Sequence, residues 1–527
     1  MSIPLLMLVL LAPTVGALLL CLVPAEQHAT IRRIAVGATT VSLLGAIYAI
    51  LTYDAAKGGY QHELLVPWVR SLGIGFHLGV DGISVVLVLL HALCGFTGVL
   101  ISYAIKERVK EYYVFYLVLI TGVFGVFLSL DLFFFYFFYE MAVIPMFPLI
   151  GIWGSDVKEH GVVRFSKEYA AMKLTIYLTL GAVLALTGLL WLYSSSGART
   201  FDIVALQHHF ASTPLAPSLQ RIIFPMLVIG FGIIAPMWPL HSWSPIGHAA
   251  APSAVSMLHA GVLMKLGSYA IIRLAIGLMP DGARLWLPWL ATICVMNIIY
   301  GGFVAMAQKD LKLIIGYSSS SHMGYVLLGI ACLTPLGLTG AVLLMFAHGL
   351  MTALAFALVG HVYDQTHTRY LPELGGLAHQ LPFIATCGVI AAMASSGLPG
   401  FANFVAELLV FVGGWDHDRI QVICGVFGIV ITAIYMLRLV RGTFFGASKP
   451  AFAHHVHDTT TAFARLPYVV LIVALLFVGC WPQPMLRIID ASSRPLIEHT
   501  QPTDQPGSVA RSLLAPSSPN QPNTTVQ

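Results

Sequence analysis

The stretch Pro236–Arg273, PMWPLHSWSPIGHAAAPSAVSMLHAGVLMKLGSYAIIR, decides how the rest of the chain is read. Lys265 lies in its second half, among Leu263, Met264 and Leu266. An ammonium at the centre of a membrane-spanning helix costs at least ~2.5–3.5 kcal/mol on insertion scales, so such a residue faces a polar interior rather than lipid. Upstream, Pro236, Pro239 and Pro245 interrupt another apolar segment, with His241, His248 and His259 scattered around them. Proline frees backbone carbonyls that cannot face hydrocarbon, so a helix broken at this depth lines protein or water. A broken helix beside a buried lysine points to a path for ions.

Working outward, the chain stays apolar. Of its 527 residues, 58% are hydrophobic and 9% charged, and the mean hydropathy is +0.84. This composition predicts an all-α polytopic membrane protein. No polar stretch is long enough to form a soluble domain, and a net charge of +4 gives no reason to expect nucleic acid as a partner. The cysteines (Cys21, Cys94, Cys294, Cys332, Cys387, Cys424, Cys480) are dispersed without a CxxC pair. Iron–sulfur or structural zinc binding needs clustered thiolates, so neither is expected. The N-terminal MSIPLLMLVLLAPTVGALLLCLV lacks a basic leader and reads as a first spanning helix rather than a cleaved signal.

At ~20 residues per crossing, hydropathy predicts about fourteen spans. Residues 1–111 hold the first three. Residues 112–278 and 286–441 form two further bundles, 442–491 a loop and last helix, and 492–527 a disordered tail rich in Pro, Ser, Gln and Thr. The Lys and Arg residues of the loops bias one face, which the positive-inside rule assigns to the inside, leaving both termini outside. Only Lys173 and Lys265 remain within predicted spans. A second break, Gly397–Leu398–Pro399–Gly400, stands about five spans after the first. An odd number of spans between two broken helices makes the halves oppositely oriented, the arrangement of inverted-repeat transporters with midplane sites.

Five further residues carry candidate chemistry. Glu140 follows FFFYFFY and precedes MAVIPMFP; a carboxylate there is paired, neutral or solvated by internal water, and its bland alternative is a hydrogen-bond anchor near a kink at Pro145. Glu407, in FANFVAELLVF just after the second break, is read in the same way, and Lys173 is a second cation that is also able to snorkel. His322 and His348 are candidate proton carriers beside the serine run Ser318–Ser321, although a lone histidine on an apolar helix is more often a packing residue. His454, His455 and His457 read as a solvated polar loop rather than a metal site. GIGFHLG near Gly73 fails the GxGxxG spacing and reads as a loop, and no Walker A sequence is present.

Five motifs together resemble the antiporter-like subunits of respiratory complex I, the proton-translocating NADH–quinone oxidoreductase: FYEMAVIPMF, the 236–273 stretch, AQKDLKLIIGYSSSSHMGYVLLG, AHGLMTALAF and GLPGFANFVAE. The resemblance runs through nearly all spans and is nearest to the M type, which is called chain 4 in mitochondria. It implies fourteen helices with two inverted five-helix bundles, each holding a broken helix. It implies proton-carrying roles for Glu140, Lys265 and Glu407, with His322 and His348 on the hydrated route between the last two. A glutamate at 407 favours the M type over the sister chains L and N, which are expected partners. No cofactor or metal is expected in this chain: NADH, FMN, iron–sulfur clusters and quinone would belong to partner subunits, in a bacterial inner membrane. A Mrp-type cation/proton antiporter subunit and a membrane subunit of an energy-converting hydrogenase or formate complex are the alternatives. The chain departs from the family where Ile234 stands in place of the usual lysine on the seventh helix. Ile246 and Ala250 replace frequent acids, and Leu313 replaces an arginine. Glu140 is then expected either to pair with Lys173 or to rest protonated.

Overall fold

The computed structural model describes residues 4–501 except 160, 448, 450, 451 and 453–455. Helices dominate because the apolar runs offer lipid no other way to satisfy backbone polar groups. Two spans, α1 (Leu5–Leu22) and α2 (His28–Thr52), pack as an antiparallel pair at one side. A hairpin of β1 (Gln61–Val69) and β2 (Ile74–Val80) leads into α3 (Ser84–Ile101).

The first bundle comprises α4 (Val109–Leu128), α5 (Leu132–Val143) continued by α6 (Met146–Trp153), and α7 (Lys167–Ser196). A short hairpin, β3 (Val157–Glu159) with β4 (Val162–Phe165), precedes α7. After the surface helix α8 (Ile203–Ser212), the broken span enters as α9 (Pro217–Ile234) and leaves as α10 (Trp243–Ala250). The eighth span is α11 (Ser253–Leu258) and α12 (Met264–Ala270), each followed by a π-helical segment, His259–Leu263 and Ile271–Ile276.

The second bundle repeats this plan upside down. It runs α13 (Pro280–Ala307), α14 (Leu311–Ala331), α15 (Pro335–Thr366), the broken pair α16 (Pro382–Ser395) and α17 (Ala402–Gly414), and α18 (Arg419–Phe444). A last span, α19 (Ala462–Cys480), and α20 (Gln483–Thr500) close the chain. Among the described residues twelve helices are long and apolar enough to cross a membrane. The serine-bearing α14 and the pair α16–α17 complete the fourteen crossings read from the sequence. The protein is a multi-pass membrane protein built on two inverted five-helix repeats.

Packing decides where chemistry is possible. Most of these spans have half or fewer of their residues buried, but Ser253–Ile276 and Pro335–Thr366 each contain an 18-residue window that is buried throughout. They are the axis of the molecule.

Four sequence expectations need correction. The GIGFHLG loop is strand β2, held against β1 through pairs such as Leu65 with His77 and Pro67 with Gly75. The tail does not begin at Ser492: α20 runs to Thr500, burying Met485, Ile489, Ser493 and Ile497 on one face. Its polar average hides a buried residue at every fourth position, three of these four being apolar, the spacing of one helical stripe. Arg273, read as a loop residue, lies inside the eighth span at 6% exposure, ion-paired with Asp81. Lys312, also read as a loop residue, starts α14 at 3% exposure. Hydropathy ranks local composition and cannot see a partner supplied by a distant segment. His454 and His455 lie outside the described residues.

Candidate functional site

The two enclosed spans approach closely because glycines meet at their crossing: a Cβ on Gly261 would stand 3.1 Å from the Gly349 carbonyl oxygen. That proximity places Lys265 Nζ 2.8 Å from His348 Nδ1, and the ammonium also donates to the Ala260 carbonyl. Lys265 and His348 are both 0% exposed. The π-helical segments on either side of Lys265 each widen the helix by a residue, a distortion that recurs at functional sites. Where the ammonium donates, Nδ1 of His348 accepts and the imidazole proton sits on Nε2, which is buried without a protein partner.

The row continues into the second bundle. His348 stacks on His322 with ring centroids 5.0 Å apart and an interplanar angle of 26°. His322 Nδ1 lies 2.8 Å from the Ser318 carbonyl, and Nε2 lies 3.2 Å from the Ser395 carbonyl and 4.0 Å from Glu407 Oε1. The neutral imidazole donates to one of these carbonyls and accepts a proton on its other nitrogen, and the imidazolium so formed donates to both. Ser395 is the last residue of α16, so the second break supplies that carbonyl. Glu407 sits one turn into α17 at 2% exposure, its Oε2 buried without a protein partner. The break makes room for it: Gly397 adopts a positive φ of 64°, and a Cβ there would collide with Oε2. Sequence-predicted Lys265, His348, His322 and Glu407 therefore form one contiguous row, each within contact distance of the next.

Glu140 and Lys173 stand apart from it. Glu140 is half-buried on α5 with the Tyr136 hydroxyl as its hydrogen-bond neighbour. Lys173 projects its ammonium over the rings of Tyr169 and Tyr177, at 6.0 and 5.9 Å. No ion pair joins the two among the described residues. Ile234, where the resemblance leads one to expect a lysine, is 0% exposed at the end of α9, with its methyl against Gly267.

Residues outside the predicted set extend the row toward α10. His248 and His259 are 0% exposed, their rings 4.1 Å apart, with no protein partner at any of their four nitrogens. Asn403, one helical turn before Glu407, is equally buried and unpartnered at both amide atoms. Buried polar atoms without protein partners are rare enough that each asks for a water or a role in transfer. The signal for Asn403 was in the sequence, an amide four residues before Glu407 on an apolar helix.

Outside the spans, His77 on β2 is held 2.5 Å from Asp202 and 3.2 Å from Glu63. Burial opposes charge on His77, but hydrogen bonds and charges from Asp202 and Glu63 outweigh it and hold the imidazole above its ordinary pKa. Burial likewise opposes charge on Asp202, and the bond from His77 with backbone donors leaves it below the usual carboxylate range. This cluster fastens the hairpin to α8.

A membrane-enclosed row of Lys, His, His and Glu at the meeting of two inverted repeats defines a class of ion-translocating subunits. The chain belongs to the NADH:quinone oxidoreductase/Mrp antiporter transmembrane family, which it matches over residues 129–432. It is 36% identical over 451 residues to NAD(P)H-quinone oxidoreductase chain 4 2 of Microcystis aeruginosa, covering 84% of this chain and 79% of that one. It is 32% identical over 465 residues to NADH-quinone oxidoreductase subunit M of Rickettsia prowazekii, covering 88% and 92%. Among solved structures, a chain of respiratory complex I from Thermus thermophilus superposes with a TM-score of 0.85 at 28% identity, over 94% of this chain and 100% of that one. A chain of the Mrp complex from Dietzia sp. shares the fold, with a TM-score of 0.82 at 21% identity over 94% and 97%.

Proposed function

We propose that this chain is an M-type, proton-translocating membrane-arm subunit of an NADH–quinone oxidoreductase, and that the row from Lys265 to Glu407 carries the proton. The observation that supports this most is the contiguity of the row: four buried titratable groups from four spans, with no apolar residue inserted between neighbours. Named relatives matched over 79% and 92% of their own length and the complex I chain support the choice of parent complex.

In this reading the basic face is inside, both termini are outside, and the membrane is the bacterial inner membrane. A proton taken up from inside loads Lys265 and passes through His348 and His322 to Glu407. Release to the outside follows when a neighbouring subunit changes its charge state. In a low-dielectric interior a nearby charge moves the proton affinity of such groups strongly, which is the property a pump requires. The partner subunits, including the sister chains L and N, would hold NADH, FMN, iron–sulfur clusters and quinone. Glu140 and Lys173, at the edge of the first bundle, are assigned the coupling role toward such a neighbour.

Lys265→Ala in the intact complex is expected to depress proton pumping and coupled quinone reduction while leaving NADH oxidation by an artificial acceptor unchanged. Normal pumping by that variant overturns the assignment. Subunits that co-purify distinguish the rivals: flavin- and NADH-binding chains support complex I, nickel hydrogenase or formate chains the third reading. Cation transport without any electron donor supports a Mrp-type antiporter.

A further inference from the structure

At the basic face, a cavity of about 540 Å³ opens between the ends of α3, α6, α15 and α19, the junction of α10 with α11, and the start of α14. Its floor is Lys312, 3% exposed, whose Nζ donates to the Ala251 carbonyl at 2.7 Å. The same carbonyl oxygen lies 3.4 Å from Ser256 Oγ, which donates to the His248 carbonyl at 2.9 Å. A short polar bridge therefore runs from the cavity to the backbone carbonyl of His248, whose unpartnered ring stands 4.1 Å from that of His259, and His259 shares the eighth span with Lys265.

The acidic and basic groups lining the cavity are Lys312, His361, Asp364, His457 and Asp458, with the tyrosines Tyr103, Tyr112, Tyr363 and Tyr468. Asp364 is exposed at the rim, and His361 Nε2 is buried without a protein partner. Two carboxylates at the mouth repel a phosphate headgroup and concentrate protons, so the charge pattern selects hydronium over an anionic ligand. Lys312 has no carboxylate within ion-pair distance among the described residues. Among the described residues its ammonium donates to a backbone carbonyl and not to a carboxylate, which leaves the amine free to give up a proton and take it back.

The geometry points to this cavity as the proton-uptake mouth of the chain, with Lys312 as the carrier that passes protons from the cavity to the His248–His259 pair. The assignment rests on the reading that Lys265 carries protons. In each passage the Lys312 ammonium gives one proton inward through water and recovers one from the cavity side. Only N–H and O–H bonds change, and one proton moves on balance.

The test uses the whole complex in inverted membrane vesicles, which present the inside face to the medium. Lys312→Met is expected to lose proton pumping with NADH oxidation by an artificial acceptor intact. Lys312→Arg should lose it as well, because arginine keeps the charge and the bond to Ala251 but does not release its proton. Independently of either folding outcome, Thr460→Cys on the exposed rim, blocked with a bulky charged thiol reagent, should pump normally before labelling and lose pumping after it, relative to labelled wild type. Normal pumping by Lys312→Arg overturns the carrier role, and normal pumping by the labelled Thr460→Cys complex overturns the mouth. If these variants pump while Lys265→Ala does not, the uptake proposal fails and the function stands. If Lys265→Ala pumps too, both fail.

Discussion

Glu407 depends on a residue with no side chain. Gly397 holds a left-handed backbone conformation with the carboxylate where its Cβ would be. Gly397→Ala is expected to cost about 1–3 kcal/mol in backbone strain. It should also push Glu407 away from His322, so that pumping falls further than stability does. Comparing thermal unfolding with pumping in the same preparation checks this; pumping that merely tracks stability refutes it. Lys265, Glu407, His322 and His348 were legible in the sequence because a charge or imidazole within an apolar run is a local signal. Lys312 and Arg273 were not, because each sits near the end of a span. The groups that make their burial tolerable, the Ala251 carbonyl and Asp81, come from segments distant in sequence.

The hairpin β1–β2 is tied down by a charge cluster whose sign can be tested. His77 binds its proton more tightly in the fold, so its contribution is complete below the ordinary imidazole pKa and is lost as pH rises through the raised value. Asp202 contributes above its ordinary pKa and loses that contribution as pH falls through its depressed value. The attachment is thus strongest in mildly acid solution, between the two transitions. Asp202→Asn is expected to weaken it there by roughly 1.5–3 kcal/mol, the worth of a charged hydrogen bond, and much less at alkaline pH. Hydrogen exchange of β2 amides at both pH values measures the difference, and an equal effect at both contradicts it.

At the other end of the chain, α20 buries Ile489 and Ile497, and Ser492 Oγ accepts from the Gly82 amide at 2.8 Å. Each isoleucine contributes roughly 1.5–3 kcal/mol by burial, so ending the chain after Pro482 should lower the unfolding temperature clearly; an unchanged temperature would mean α20 is not docked. Both elements escaped the sequence reading for a physical reason. The strand pairing of GIGFHLG depends on a partner strand across a turn, Val69 with Ile74 out to Leu64 with Leu78, and the stripe of α20 is diluted by serine, arginine and proline.

For the molecule as a whole, the odd spacing between two broken helices already implied inverted repeats, and the fold has them. The sequence did not reveal that the halves are unequal in chemistry. From Lys265 into the second bundle the titratable row is continuous to Glu407, whereas in the first bundle Glu140 is not part of it and Ile234, buried against Gly267, offers no titratable group. Lys265, His348 and His322 sit on the most enclosed spans of the molecule, so the proposed proton handling lies at its axis.

The most direct test of that claim is the number of protons moved per electron by the complex carrying Glu407→Gln, reconstituted in sealed vesicles. Glutamine keeps the shape of the side chain beside Gly397 but does not ionise. The row as described predicts a lower ratio than wild type at an unchanged rate of NADH oxidation by an artificial acceptor, and a ratio equal to wild type would contradict it.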